Sequence, residues 1–179
     1  MIILDTSAVQ IAAANSFKNS YKANKYGRNV LGVSDEDYYK FIFIGKLCEV
    51  VIHDFLISKG ISVSAPDLLV PSPGPSKPGA DFTLTSSDQE VDVKAAVEPW
   101  HRKMLVREDQ FRAKSYDVYI GTRFVTDSKI EFHGYATRDD ITATAVVDPG
   151  FGPCRSLELS ELKSPKDFLS MAEAGSSIT

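Results

Sequence analysis

A chain of 179 residues, 43% hydrophobic and 25% charged, has the size and balance of one globular domain able to bury a core, which argues against two domains or a disordered chain. Its net charge of −4 has the wrong sign for a protein that binds polyanions over its whole surface, so any phosphate contacts must come from local clusters of Lys and Arg. Cys48 and Cys154 lack the paired spacing of a zinc site and nothing resembles a signal peptide, so a reducing cytoplasm is expected; the apolar run from Phe41 to Ile57 is broken by Lys46, Glu49, His53 and Asp54, so no membrane span is expected.

From Asp5 to Gly27 the sequence carries Lys18, Lys22 and Lys25 at helical spacing, interleaved with Phe17, Tyr21 and Tyr26, ahead of a glycine-rich break from Gly27 to Gly32. The spacing predicts a helix with one basic face, so residues 1–33 read as an amino-terminal helical extension and residues 34–179 as the globular unit. Ser34 has the chemistry of an N-cap with Asp37 three residues on, and Gly60 supplies a stop, which predicts a long helix from Asp35 to Lys59. Ile61 to Val63 reads as the start of a strand. Pro66, Pro71, Pro73, Pro75 and Pro78, with Gly74 and Gly79, then exclude regular structure. Two strands, Ala80 to Thr85 and Glu90 to Ala95, flank a four-residue turn, Ser86 to Gln89. Farther on, Met104 to Lys114 reads as helical, Tyr116 to Val125 and Lys129 to Ala136 as strands joined at Thr126-Asp127-Ser128, and Pro165 to Ala172 as a short helix. The sum is a mixed α/β domain, helices first, then a sheet of about four or five strands with helices against it.

The hairpin carries the chemistry. Side chains of a strand alternate between faces, so Asp92 and Lys94 point one way while Val91, Val93 and Ala95 point the other. With the turn at Ser86 to Gln89, Thr85 pairs with Glu90 and Asp81 falls opposite Lys94 on the same face. Two carboxylates on one face repel unless a cation lies between them, and Mg2+ takes oxygen ligands of this kind. On the long helix, a 100° step per residue sets Glu49 within about 60° of Ile42, Gly45, Ile52 and Leu56, on a stripe expected to face the sheet. An inward carboxylate needs a partner: either Lys46 or His53, or the same metal as Asp81 and Asp92.

These residues give the chain a resemblance to the PD-(D/E)XK nuclease superfamily, the restriction-endonuclease-like fold. Asp81 matches the first half of the motif, Asp92-Val93-Lys94 the second, and Glu49 the acid on the preceding helix, while Gly79-Ala80 stands where the motif has its proline. Gln110 to Tyr116 is similar to the glutamine-and-tyrosine helix motif of the exonuclease branch, at a longer spacing. The resemblance spans about Ser34 to Ala136. It implies a mixed central sheet of four or five strands flanked by helices, and a metal-dependent hydrolysis of phosphodiester bonds, most simply by an endonuclease acting on DNA. Asp81, Asp92, the carbonyl of Val93 and Glu49 would hold Mg2+, for which Mn2+ can substitute, and Lys94 would orient the attacking water or meet the developing oxyanion.

Nucleic acid would be met by His101, Arg102, Lys103 and Arg107, which follow the catalytic strand beside Trp100, with Arg112 and Lys114 beyond them. The bland reading of this cluster is a solvated helix face whose cations pair with Glu108 and Asp109. The stripe of Lys18, Lys22 and Lys25, with Arg28, offers a second phosphate-binding surface, or else the contact of a two-fold homodimer. Two other functions stay open. Leu4-Asp5-Thr6-Ser7, after Met1-Ile2-Ile3, resembles the opening of a PIN-domain ribonuclease, an apolar strand ending in a metal-binding Asp, and a nuclease-like fold can also serve only as a binding module for nucleic acid or protein.

Overall fold

The computed structural model describes residues 1–23, 34–66, 68 and 79–174. The chain opens on strand β1 (Ile2–Asp5), then helices α1 (Ala8–Ala23) and α2 (Asp35–Ser58), and strands β2 (Phe82–Leu84), β3 (Gln89–Ala96) and β4 (Lys103–Arg107). A short helix α3 (Glu108–Ala113) leads to the long hairpin β5 (Val118–Thr126) and β6 (Lys129–Thr137). Helix α4 (Arg138–Thr142), strands β7 (Val146–Val147) and β8 (Cys154–Glu158), a single 3-10 turn and helix α5 (Pro165–Ala174) follow. The main sheet runs β1-β6-β5-β3-β2 and is antiparallel except for the β3–β5 pair; a second, three-stranded antiparallel sheet runs β4-β8-β7.

Alternation along β3 sorts the molecule into two layers. Val91 and Val93 join Val118 and Ile120 of β5, Ile130 and Phe132 of β6, Ile44, Leu47, Val51 and Leu56 of α2, and Phe168 of α5 in the larger core. On the other face, Ala96 and Tyr119 pack with Met104 and Val106 of β4, Ile141 of α4 and Leu159. The long helix starts as its cap chemistry dictates: Ser34 Oγ accepts from the Asp37 N–H at 3.1 Å, three acids occupy the first turn, and Gly60 follows the last turn with φ of 80°.

Several expectations are corrected. The amino-terminal segment, read as a helical extension, holds helix α1 but also contributes the edge strand β1, which pairs antiparallel with β6. Met104 to Val106 is strand rather than helix, because Met104 and Val106 face the second core in alternation and pair with β8. Ile61 to Val63 makes only an isolated bridge, Val63 to Leu84. The hairpin turn is Thr85 to Asp88, one residue earlier than expected, with Asp88 in the left-handed region at φ of 54°. Moving a four-residue turn by one position slides the register by two: Thr83 pairs with Glu90, Leu84 with Gln89, and Asp81 comes beside Asp92 instead of Lys94. Since the side-chain period is also two, the slide leaves every residue on its expected face.

Gly134 sits at φ of 150° where Tyr135 and Lys163 exchange two backbone hydrogen bonds of 2.9 Å, and a Cβ there would fall 2.0 Å from the Lys163 carbonyl oxygen. Only glycine lets the segment leading into α5 lie this close to β6.

Candidate active site

Three elements meet at the point where β2 stops and β3 runs on. Asp81 precedes the first residue of β2, and its Oδ2 accepts from the Val93 N–H at 2.7 Å. A strand residue directs its N–H and C=O toward the same neighbour, so the Val93 carbonyl faces this open edge as well. The next carbonyl, that of Lys94, faces β5 and accepts from Thr122 Oγ1 at 3.1 Å. Asp92 is buried, and Lys94 donates to its Oδ1 at 3.1 Å. Lys94 Nζ also stands 2.8 Å from Asp92 Oδ2, so both oxygens of Asp92 face the same ammonium. Lys94 therefore pairs with Asp92, not with Asp81, as the register slide requires.

Glu49 reaches the cluster from α2 and hydrogen-bonds Lys46 one helical turn earlier. Lys46 in turn lies over the Phe17 ring of α1, 4.4 Å from its centroid. Glu49 thus has the Lys46 partner that one of its two readings expects, and its charge also bears on Asp81. Burial, with Glu49 and Asp92 close by, pushes the Asp81 carboxyl well above the usual carboxylate range. Burial also raises Glu49, with Lys46 opposing and Asp92 adding to the rise. For Lys94 burial acts downward, but the Asp92 carboxylate, with Asp81 beyond it, outweighs that and holds the ammonium above its ordinary value.

Asp92 and Lys94 line a cleft of about 170 Å3 with Gln110, Lys114, Tyr116 and Tyr119. Lys114 pairs with Glu90 at 2.6 Å, and the Tyr116 hydroxyl donates to the Gly79 carbonyl at 2.9 Å. Burial, together with Asp92 and Asp81, raises the Tyr116 phenol and keeps it a neutral donor. Gln110 is on α3, but Tyr116 lies past the helix end, so the two reach the cleft from different elements. Tyr119 carried no local signal: only the parallel pairing of β3 with β5, which sets Asp92 beside Tyr119, brings it in.

Carboxylates with a neighbouring backbone carbonyl are the oxygen donors that Mg2+ and Mn2+ take. The acids outnumber Lys46 and Lys94, and burial together with their mutual repulsion raises Asp81 and Glu49, a conflict that a divalent cation would relieve. These residues fit a divalent cation chemically. They are not gathered as a ready-made centre, for among the described residues no three His, Cys, Asp or Glu side chains converge on one point. Each acid is held by its own partner: Asp81 by Val93, Asp92 by Lys94 and Glu49 by Lys46.

The expected nucleic-acid contacts separate into three kinds. Lys18 and Lys22 lie over the Phe43 and Tyr39 rings of α2, 5.4 and 5.7 Å from the centroids, so they serve the α1–α2 packing; Lys25 and Arg28 lie outside the described residues. Arg107 forms a two-pronged pair with Asp109, at 3.0 and 2.7 Å, and Arg112 pairs with Glu108, as the solvated-face reading expects. Lys103 stands 3.4 Å from Glu158, while His101 and Arg102 are exposed on the loop joining β3 to β4. Asp5 pairs with Lys129 at the far end of β6, seven residues from Ala136, which neighbours Tyr119; at about 3.3 Å per residue this is roughly 23 Å along the strand. Among the described residues Asp5 belongs to no group of three or more His, Cys, Asp or Glu that could hold a metal. Compared with known proteins, the chain matches no protein-family model and has no significant match to a curated protein sequence.

Proposed function

We propose that this chain is a divalent-metal-dependent nuclease that hydrolyses phosphodiester bonds, most simply an endonuclease acting on DNA. One observation carries the reading: Asp81, held at 2.7 Å on the Val93 N–H, lies beside the Asp92–Lys94 pair that lines a cleft, with Glu49 of α2 near enough for its charge to bear on both acids. Asp81, Asp92, the Val93 carbonyl and Glu49 are the groups that would hold Mg2+ or Mn2+. The bound cation would supply Lewis acidity to the phosphate and a nucleophilic water near neutral pH. Lys94 keeps its charge because Asp92 and Asp81 raise its pKa, so it acts as a fixed positive donor for an anionic oxygen rather than as a base. Lys114, whose ammonium has protons beyond the one it gives Glu90, supplies the cleft wall with a further donor for phosphate oxygens, while Tyr116 spends its single proton on the Gly79 carbonyl and fixes that wall.

The test is cleavage of single- and double-stranded DNA and RNA with Mg2+ or Mn2+, alongside Asp92→Ala, which should abolish activity. Failure to cut any of the four substrates together with failure to bind either metal would overturn the reading. A binding module without catalysis is the second reading, favoured by the fact that each acid already has a protein partner. It expects nucleic-acid affinity that neither metal nor Asp92→Ala changes.

A further inference from the structure

We infer that Trp100 and Arg102, at the tip of the loop joining β3 to β4, form a stacking platform for unpaired nucleotides, so that the substrate of the proposed nuclease is single-stranded or locally unpaired. The inference rests on the proposed nucleic-acid chemistry but adds what that reading leaves open, the strandedness of the substrate.

Trp100 is 69% exposed, an unusual position for the largest apolar side chain in a chain that has only one tryptophan. Its ring meets that of His101 at 82° with centroids 6.2 Å apart, an edge contact that leaves at least one indole face open. The loop carrying it is held from both sides. Glu98 pairs with Lys40 of α2 at 2.9 Å, and Arg123 of β5 reaches the Pro99 carbonyl at 3.5 Å. Held at its base, the loop turns Trp100, His101 and Arg102 outward together.

The tip is tied to the candidate site through both of its arms. Lys94 on β3 and Val106 on β4 both line the cleft, six residues before and six residues after Trp100. At about 3.3 Å per extended residue, neither arm spans more than roughly 20 Å, a few nucleotides along a single strand. A strand whose phosphate lies in the cleft can therefore lay a neighbouring base on Trp100 and its backbone along Arg102. Stacking of this kind needs a base whose face is free, which a closed duplex does not offer, and it tolerates any sequence because every base has a π-face.

The single tryptophan makes the test direct. A short oligothymidylate and a closed hairpin duplex are titrated against the full chain with Ca2+ in place of Mg2+, following Trp100 fluorescence and, with labelled probes, anisotropy. The oligothymidylate should quench Trp100 and bind more tightly than the duplex. Trp100→Ala should weaken its binding roughly tenfold and Trp100→Phe should recover part of that loss, since stacking on an aromatic face survives in Phe. Arg102→Ser should flatten the salt dependence by about one unit of slope. Binding of the oligothymidylate without quenching, or with an affinity that Trp100→Ala changes by less than about twofold, would overturn the platform. Equal quenching by the closed duplex would overturn the strandedness. Neither result touches the nuclease reading, which is scored separately by Mg2+-dependent cleavage, and absence of cleavage with the quenching intact would remove the nuclease while leaving the platform.

Discussion

The carboxylate of Asp81 accepts the backbone N–H of Val93 at 2.7 Å, just where strand β2 gives out, so a side chain carries on the hydrogen bonding that a backbone would otherwise supply. Burial, with Glu49 and Asp92 close by, raises the pKa of the same acid. Between the ordinary carboxylate value and that raised value the folded chain holds a proton that the unfolded chain has released. Stability should therefore fall as pH rises through this window, and the penalty of the ionised group should remain in full above it. Asp81→Asn keeps an oxygen acceptor for Val93 and removes the charge. It should raise the melting temperature near neutral pH by about 2–4 °C, on the order of 1 kcal/mol for a chain of this size, and flatten the acid side of the stability profile. Thermal melts of both proteins from acid to neutral pH check this, and an Asp81→Asn protein less stable at every pH would contradict it.

Metal binding should oppose the same penalty. If Mg2+ or Mn2+ enters among these acids, saturation at a hundredfold excess over Kd adds about 2.7 kcal/mol of stability to the native chain. Asp81→Asn and Asp92→Asn should each lose most of that gain. Melting curves with and without metal, together with calorimetric titration, give the answer independently of any cleavage assay.

Lys46 and Glu49 make a cycle of their own, because each buries a charge that the other neutralises. Lys46→Met should destabilise the chain by about 3–5 kcal/mol by leaving Glu49 uncompensated, whereas Lys46→Met with Glu49→Gln should recover much of that loss. Denaturant unfolding of the two single variants and the double variant measures the coupling. Glu49→Gln alone should weaken metal affinity more than stability, and equal effects on both would assign Glu49 a structural role only.

Lys18 and Lys22 should behave as packing residues. Each lies over an aromatic ring of α2, so Lys18→Ser and Lys22→Ser should cost about 0.5–1 kcal/mol apiece and leave the salt dependence of nucleic-acid binding unchanged. A flatter salt slope from these two changes would restore the stripe as a phosphate contact.

What could be read ahead of the fold was whatever has a local cause. Ser34, Asp37 and Gly60 bound α2 to within one residue at its carboxyl end, because caps act on their own helix. Asp92 and Lys94 share a face because the strand period is two, whatever the turn, and Asp81 stays on that face because the register slides by the same number. Met104 to Arg107 reads as helix in the sequence because the short alternation of β4 runs without a break into the helical Glu108 to Ala113. β7 is two residues long and followed by Asp148-Pro149-Gly150, too little for a periodic signal. The pairing of Glu108 with Arg155, 2.7 Å apart, joins α3 to β8 across 47 positions and leaves no trace in either neighbourhood. Lys94 was expected beside Asp81 from a turn placed one residue late, and the left-handed Asp88 is what pulls it forward.

Gly134 has a consequence for how this protein would fail. With the Lys163 carbonyl 2.0 Å from where a Cβ would sit, even Gly134→Ala forces the strap between Leu162 and Ser164 off the sheet, and the two bonds that Tyr135 exchanges with Lys163 go with it. Helix α5 then loses its hinge point, and Phe168, fully buried against Phe132 and Tyr135, is released. The acid cluster draws no residue from that strap. Such a variant should keep its chemistry at low temperature while the bared aromatic patch drives it into aggregates on warming, a thermosensitive lesion far from any functional group.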